Sequence, residues 1–308
     1  MNENSQETLR LIEEDDPSLT SLSIVKWEEQ RPYCQGRFYS ENHNDFNTLG
    51  LAIGKNSHIK ELVVNNETIL DITHNGFYEG INRNESINDL VFHCGARNLI
   101  GGIQHKILTS RQSHKNDLSS LYINAAVFHN DNEGLQFIVT TLRGCISLKN
   151  LTLYHCDITD ELLLPIVEAI RGCNTLEDIN LDQNRIHLCE ALASLLSDPN
   201  SNLQTLQIQH NSIREEGVIN LANSLVNNTK LQTINFMRNS FNLSSAEDVF
   251  SRLLCNTSSI NNTFLSNHTL EDAFGVESDG SVKVVLLHLN RGKDKIHVGT
   301  TIQIEYRR

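Results

Sequence analysis

The segment from residue 49 to 56 is the first place where the residue types suggest chemistry, because glycines followed by a lysine can hold a phosphate. In a phosphate-binding loop, backbone N–H groups and a lysine ammonium surround the phosphate oxygens. Here Gly50 and Gly54 enclose three residues where that loop has four, and Asn56 stands where it needs Ser or Thr. We therefore expect no nucleotide at this segment and no cofactor in the chain.

His155, Cys156 and Asp157 are three consecutive residues of the types that bind metal ions. Consecutive side chains cannot converge on one ion without further ligands, and the sequence has no CxxC or HxxxH pair to supply them. A Ser or Cys, His and carboxylate triad would have to assemble across distant segments, and no set stands out. The sequence therefore predicts neither a metal site nor an enzyme.

The cysteines and the charge indicate the environment of the chain. Seven cysteines without framework spacing are typical of reduced thiols, which favours the cytoplasm, with the nucleus as an alternative. Cys145 and Cys173 occupy equivalent turns and are expected to be neighbours, either as small buried residues or as an oxidisable pair. The N-terminal residues are acidic and polar, which predicts no secretory signal, so the eight Asn-x-Ser/Thr matches are expected to stay unmodified. A net charge of −13 argues against nucleic acid and membrane partners.

A repeated apolar triad explains most of the chain. An apolar residue, two positions, a second apolar residue, one position and a third recur at steps of 27 to 31 residues. Apolar residues two apart predict a short strand with one buried face. The triads are Ile59-Leu62-Val64, Ile87-Leu90-Phe92, Leu118-Leu121-Ile123, Leu148-Leu151-Leu153, Leu176-Ile179-Leu181, Leu203-Leu206-Ile208, Leu231-Ile234-Phe236 and the weaker Ile260-Thr263-Leu265.

An apolar pair four residues apart follows or precedes each strand and predicts a helix with one buried side. Strands joined through helices form a parallel sheet with right-handed crossovers, and helices are wider than strands. The sequence thus predicts a right-handed α/β solenoid, a horseshoe with the sheet on its concave face and the helices on its convex face. The pairs are Leu49/Ile53, Phe77/Ile81, Ile103/Ile107, Ile138/Leu142, Ile166/Ile170, Leu192/Leu196, Leu221/Leu225 and Val249/Leu253.

One turn position, three residues past each triad, holds Asn184, Asn211 and Asn239, with Cys156 in the same position one repeat earlier. An amide side chain can donate to and accept from the backbone of a buried turn. We expect these four residues to form a structural ladder along the stack.

The segments LKNLTLYHCDI, LEDINLDQNRI, LQTLQIQHNSI and LQTINFMRNSF, each followed by a long helix, resemble the ribonuclease-inhibitor type of leucine-rich repeat. Stand-alone proteins of this kind are abundant in some algae. The resemblance covers residues 45–270 and implies a protein-binding horseshoe. Gly95 and Arg97 depart from the pattern, as does an insertion after a partial copy at residues 19–24.

The two ends predict caps on the exposed apolar edges of the stack. Residues 1–44 are expected to form an N-terminal cap with a helix near 5–14, the partial strand and an aromatic insertion, residues 45–275 the solenoid of about eight repeats, and residues 276–308 a C-terminal cap or tail. The aromatics of the insertion either pack in the cap or form a binding loop. Val282, Leu286 and Leu289 suit a helix face. The insertion carries Trp27, Tyr33, Phe38 and Tyr39.

The residues between the apolar positions are expected to face the concave surface, mostly as neutral amides with aromatics in the middle repeats. Tyrosine and arginine are enriched among interface anchors, which favours a protein partner bound at this face. The candidate contact residues are Tyr122, Tyr154, His155, Asp182, His210 and Arg238. We expect a monomer that acts as a non-catalytic scaffold. The alternatives are a regulator of a small GTPase, which the resemblance supports, and the sensor half of a larger receptor.

Overall fold

A computed structural model describes residues 1–25, 35–65, 75–97, 102–111, 117–128, 132–143, 145–241, 269–270, 272–276 and 282–284. By its internal contacts the chain divides into two compact units, Met1–Cys156 and Asp157–Arg308. Both units are α/β, with parallel strands that alternate with helices, which confirms the predicted fold class.

The first unit contains five helices and six strands among its described residues. The strands are parallel and lie in the order β2-β1-β3-β4-β5-β6. The helices are α1 (Glu3–Glu13), α2 (His43–Ile53), α3 (Asn75–Arg83), α4 (Ile103–Ser110) and α5 (Asn132–Leu142). The strands are β1 (Ser21–Ile24), β2 (Gly36–Phe38), β3 (Glu61–Asn65), β4 (Asp89–Arg97), β5 (Ser120–Ala126) and β6 (Asn150–Tyr154).

The second unit contains three helices and five strands among its described residues. Strands β7 to β10 are parallel neighbours, and β11 pairs with β10 in the antiparallel sense. The helices are α6 (Asp160–Ile170), α7 (Glu190–Leu196) and α8 (Glu215–Leu225). The strands are β7 (Asp178–Asn180), β8 (Thr205–Gln207), β9 (Thr233–Asn235), β10 (Asp272–Val276) and β11 (Val282–Val284).

The apolar triads and helix pairs form the core of each unit. All seven described triads and all seven described helix pairs are buried, and no member is more than 5% exposed. Neighbouring triads also align in register, as Leu62 with Leu90 and Leu206 with Ile234 do. Burying a side chain of this size contributes about 1.5–3 kcal/mol, so the stacked triads supply the main driving force for folding. The pair Val249/Leu253 lies outside the described residues.

The glycines of the apparent phosphate loop belong to a close helix contact. Helices α2 and α3 pack through Gly50 and Gly80, and a Cβ added at Gly80 would lie 1.8 Å from the Gly50 carbonyl oxygen. The segment is helical through Ile53, and Asn56 hydrogen bonds with the backbone. The close packing of α2 on α3 thus explains the glycine at position 50.

Strand β2 forms an edge of the first sheet that the sequence did not predict. Helix α1 covers this edge, because the Arg37 N–H donates to Thr8 Oγ1 (3.1 Å) and the Tyr39 N–H donates to Ser5 Oγ (3.0 Å). Phe38 is fully buried, and its ring contacts Phe46 edge to face at 5.4 Å. An edge whose N–H groups are paired is closed to another strand. Trp27 and Tyr33 lie outside the described residues.

The predicted eighth triad, Ile260-Thr263-Leu265, lies outside the described residues. Among the described residues, strand β9 has β8 on one side and β10 on the other. Ala273 of β10 pairs with Ile234, and Leu270, three residues earlier, is fully buried. The helix expected around Val282 is wrong at this residue, since Val282–Val284 is strand β11.

Candidate functional site

Each sheet has a far face, defined as the face that carries the residues alternating with the buried triads. In the first unit two rows cross this face in register, Val63-Val91-Tyr122-Thr152 and Asn65-His93-Asn124-Tyr154. Val63, Asn65 and His93 are only 6%, 5% and 8% exposed, although they do not face the core. Val91 of β4 is half-buried, and so are all four members of the rows on β5 and β6. The accessible part of the far face in this unit therefore lies mainly on β5 and β6.

The accessible part carries three of the predicted contact residues, which we name the tyrosine patch: Tyr122, Tyr154 and His155. Tyr122 stands beside Thr152 on the neighbouring strand, and Tyr154 stands beside Asn124. The Tyr122 ring lies 5.5 Å from the His93 ring, and the rings of Tyr154 and His155 are 6.3 Å apart.

A buried histidine supports the tyrosine patch from β4. The side chains of His93 and Asn124 are joined by a 3.2 Å hydrogen bond between His93 Nδ1 and Asn124 Nδ2. Since the amide nitrogen can only donate, His93 Nδ1 accepts, which places the ring proton on Nε2. Asp89, two residues before Val91 on β4, is half-buried, and its desolvation raises the pKa of the carboxyl group. Tyr122 thus packs against a histidine that is itself hydrogen bonded to Asn124.

The other three predicted contact residues lie together in the second unit, and we name them the arginine patch: Asp182, His210 and Arg238. The far face here is lined by amides, since Asn180 Nδ2 donates to Gln207 Oε1 at 3.3 Å. Asp182 is only 7% exposed, and its carboxylate accepts from the Gln209 N–H at 2.7 Å and from Gln209 Nε2 at 3.2 Å. Burial raises the pKa of Asp182, and the hydrogen bonds from Gln209 oppose that shift. Asp182 is therefore a buried hydrogen-bond acceptor rather than an exposed anion.

One column of residues has an unusual backbone. His155, Gln183, His210 and Arg238 occupy the same position after their strands, and each is in the left-handed region with φ of 53°, 57°, 51° and 56°. For residues other than glycine this conformation costs about 1–2 kcal/mol, so the surrounding turn must stabilise it. Sequence reasoning missed this feature because no glycine or asparagine marks the position.

The asparagines of the ladder supply that stabilisation in the second unit. Asn211 Nδ2 donates to the carbonyls of Leu181 and Ile208, and its Oδ1 accepts from the Ile186 N–H at 3.1 Å. Asn184 and Asn239 bond in the same way, each with Oδ1 accepting from an apolar residue of the adjoining turn, Ile158 and Ile213 respectively. Each ladder asparagine thus connects two successive turns. In the first unit, Cys156 Sγ donates to the carbonyls of Tyr154 (3.2 Å) and Ile123 (3.6 Å).

His210 and Arg238 contact each other within the arginine patch. Arg238 Nη1 lies 3.2 Å from His210 Nε2, and both side chains are exposed. They belong to successive repeats, 28 residues apart. The turns therefore bring together two predicted residues that no local motif connects.

Buried polar side chains at the turns before the strands form a second set that the sequence did not single out. Asn84 Nδ2 donates to the carbonyls of Ile53 and Asn56 at 2.7 and 2.8 Å. Arg111 is 5% exposed and donates to the carbonyls of Ile81, Asn84 and Ile87 at 2.8, 3.0 and 2.5 Å. Desolvation lowers the pKa of the Arg111 guanidinium. Asn84 belongs to one of the eight Asn-x-Ser/Thr matches, and its buried hydrogen bonds give that match a structural explanation.

Among the residues that the structure describes, no three His, Cys, Asp or Glu side chains are grouped to hold a metal ion. His155 is exposed while Cys156 is fully buried, so the adjacent pair points to different sides. Cys145 and Cys173 are both buried and belong to different units. Burial also raises the pKa of the Cys94 thiol to about 12.

Among the described residues, helices are too short or too polar to cross a bilayer.

The stacked strand-and-helix repeats and the turn ladder define an α/β repeat fold with parallel strands. No family model matches the chain, and no curated protein matches it.

Several solved structures match the chain in part. One is actin-binding site 2 of leiomodin-1, which is 16% identical over 55% of this chain and 91% of that chain, with a TM-score of 0.41. A tropomodulin C-terminal domain from Caenorhabditis elegans is 15% identical over 56% of this chain and 97% of that chain, with a TM-score of 0.39. Internalin C2 from Listeria monocytogenes is 20% identical over 69% of this chain and 72% of that chain, with a TM-score of 0.37. At TM-scores this low the fold assignment stands on the repeats and strands of the chain itself.

Proposed function

We propose that this chain is a non-catalytic scaffold that binds a protein partner through the far face of its sheets. The observation that carries the proposal is the contrast within the first unit. There the far face is buried at Val63 and Asn65 but accessible around Tyr122 and Tyr154. Aromatic side chains held on a rigid sheet are the residue types that most often dominate protein interfaces.

The second unit supports the same proposal with a different surface. Its far face displays amides that hydrogen bond with one another, and an exposed arginine and histidine at the turns. A polar surface on ordered strands loses little side-chain entropy when it binds, which favours specific contacts over general attraction. We propose that both patches contact the partner.

The thiol groups fit a scaffold better than an enzyme. Cys94 and Cys189 are almost fully buried, and burial raises the pKa of both thiols, so neither is a ready nucleophile. The five described cysteines are free, which fits a reducing compartment such as the cytoplasm. The steps of 27 to 31 residues and the full helices favour the ribonuclease-inhibitor type of repeat.

The test compares three forms of the full chain as bait in an extract of its own cells. The far-face variant carries Tyr122→Ala and Tyr154→Ala. The matched control carries Leu51→Ala and Leu164→Ala, which remove exposed apolar side chains from helices α2 and α6 (55% and 54% exposed). Circular dichroism and urea unfolding establish that all three are folded.

We expect a protein retained by the wild type and the control, and bound at least ~30-fold more weakly by the far-face variant, as for loss of interface anchors. The affinity is measured by titration of the purified partner. Equal affinity of the wild type and the far-face variant, or loss of binding only in the helix control, would contradict the proposal.

A further inference from the structure

Arg238 and His210 form a pair whose outward groups are all donors. A guanidinium has no acceptor, so the 3.2 Å contact requires that Arg238 Nη1 donates and His210 Nε2 accepts. With Nε2 as the acceptor of this hydrogen bond, Nδ1 is the ring nitrogen that can carry an N–H. The pair can therefore offer a ligand the remaining N–H groups of Arg238 and one N–H of His210.

The backbone that carries this pair is held in place on both sides. Each residue is followed directly by a ladder asparagine, Asn211 or Asn239, which bonds to the backbone of its own turn and of an adjoining one. The His210 N–H also donates to the Met237 carbonyl at 3.0 Å. The two donors therefore start from ordered positions before any partner arrives.

The positive charge of Arg238 is not matched by an ion pair among the described residues. In the described part of the second unit, the arginine ion pairs belong to Arg171, with Glu168 and Asp198, and to Arg185, with Asp157. The nearest acidic member of the arginine patch, Asp182, is buried and already accepts two hydrogen bonds from Gln209. Arg238 is thus an exposed cation beside a second donor.

From this geometry we propose that Arg238 and His210 form a carboxylate-binding subsite, and that the partner inserts an aspartate or glutamate side chain there. The subsite rests on the proposed function, since it names one contact of the far face. The planar guanidinium matches a carboxylate with two parallel hydrogen bonds, and the histidine N–H adds a third donor. Phosphate recognition, by contrast, uses several arginines or a helix N-terminus, and this patch has one arginine on a surface of amides.

The probe is a peptide library displayed on phage and selected on the full chain. Selected peptides are synthesised, and their affinities are measured by fluorescence anisotropy for the wild type, for Arg238→Gln and for the control Arg214→Gln. Arg214 is likewise an exposed arginine of the second unit, and it is the N-cap residue of α8. Each peptide is also made with its acidic residues replaced one at a time by the corresponding amide.

We expect the selected peptides to be enriched in Asp and Glu. Replacing one acidic residue by its amide should lower the affinity at least ~10-fold for the wild type and for Arg214→Gln. The same replacement should barely change the affinity for Arg238→Gln, as a double-mutant cycle requires for two groups that contact each other. Rising salt should reduce the same contribution.

Two results would overturn the subsite. One is a set of selected peptides no more acidic than the library, and the other is an acidic residue that contributes equally to binding of Arg238→Gln. If either of these occurs while Tyr122→Ala with Tyr154→Ala still abolishes partner binding, the subsite fails and the scaffold function stands. If the tyrosine variant keeps the partner, the scaffold proposal itself fails.

Discussion

In both units polar side chains hydrogen bond to the buried backbone of the turns, but the two units place these side chains at opposite ends of their strands. In the first unit the polar side chains sit where the chain enters a strand, as Asn56, Asn84 and Arg111 do. In the second unit they sit mainly where the chain leaves a strand, at the ladder asparagines, with Asn228 as a further residue at an entry turn. A buried backbone group needs a partner in either place, so the repeat fold can satisfy the same requirement with different side chains.

This difference matters for function because the exit turn carries candidate contact residues. An exit turn that an asparagine links to its neighbour can hold His210 and Arg238 in a left-handed conformation. In the first unit the exit positions hold Gly95, Ala126 and Cys156, which contribute no side-chain amide. The far face of that unit relies on longer strands and on the ring contacts of Tyr122. The first unit thus supports its surface with longer strands and side-chain contacts, and the second adds the hydrogen bonds of the ladder asparagines at its exit turns.

The largest effect is expected from Arg111→Met in the first unit. The change removes the donors of three buried carbonyls, and each buried unsatisfied group costs about 1–3 kcal/mol. Recovery of the desolvation cost of the guanidinium offsets part of this, so we expect a loss of about 4 kcal/mol in the free energy of unfolding by urea. Arg83→Met, at an exposed arginine paired with Glu79 on the same helix, should cost under about 0.5 kcal/mol. Equal losses for the two variants would mean that the entry turn does not depend on Arg111.

A somewhat smaller effect is expected from Asn211→Ala in the second unit. This variant leaves the Ile186 N–H without its acceptor and removes a donor from three carbonyls at the exit turns. Water can reach part of these turns, so we expect a loss of about 3 kcal/mol. Asn227→Ala, at an exposed asparagine of the turn after α8, is the control and should change the urea midpoint little. If Asn211→Ala lowered the free energy of unfolding no more than Asn227→Ala does, the proposed contrast between the units would be lost.

The smallest effect is a gain in stability from Gln183→Gly. Gln183 has φ of 57°, where glycine avoids the steric cost of a Cβ. The greater entropy of glycine in the unfolded chain offsets part of that gain, so we expect an increase of about 0.5 kcal/mol in the free energy of unfolding. Gln232→Gly, at a glutamine outside the left-handed column, should lower stability by a similar amount. A loss at both positions would show that the left-handed turn carries no steric cost.

Most of the repeat core could be predicted because its signal is local and regular. Residues such as Leu62, Leu121 and Leu206 recur at a nearly constant spacing, and burial of one strand face requires that pattern. The weaker triad at Ile260 satisfied the same spacing approximately, and the strand that pairs with β9 begins twelve residues further on, at Asp272. Val282 shows the related ambiguity, since a short apolar run fits a helix face or a strand.

The geometry of the candidate site was less accessible from the sequence. His210 and Arg238 could be assigned to one column, but their contact depends on the left-handed turns, which neither residue type signals. No sequence motif marks Arg111, and tertiary packing makes it a buried donor. The burial of Val63 and Asn65 on the far face likewise depends on long-range packing. The repeat pattern therefore could not predict which strands leave the far face accessible.

The most direct test of the scaffold proposal is hydrogen–deuterium exchange of the full chain, followed by mass spectrometry, with and without the captured partner. The account predicts slower exchange on binding in β5 and β6 of the first unit and in the turns after β8 and β9 of the second, with helices α2 and α6 unchanged. Slower exchange confined to the helices, with the strands and their exit turns unaffected, would contradict it.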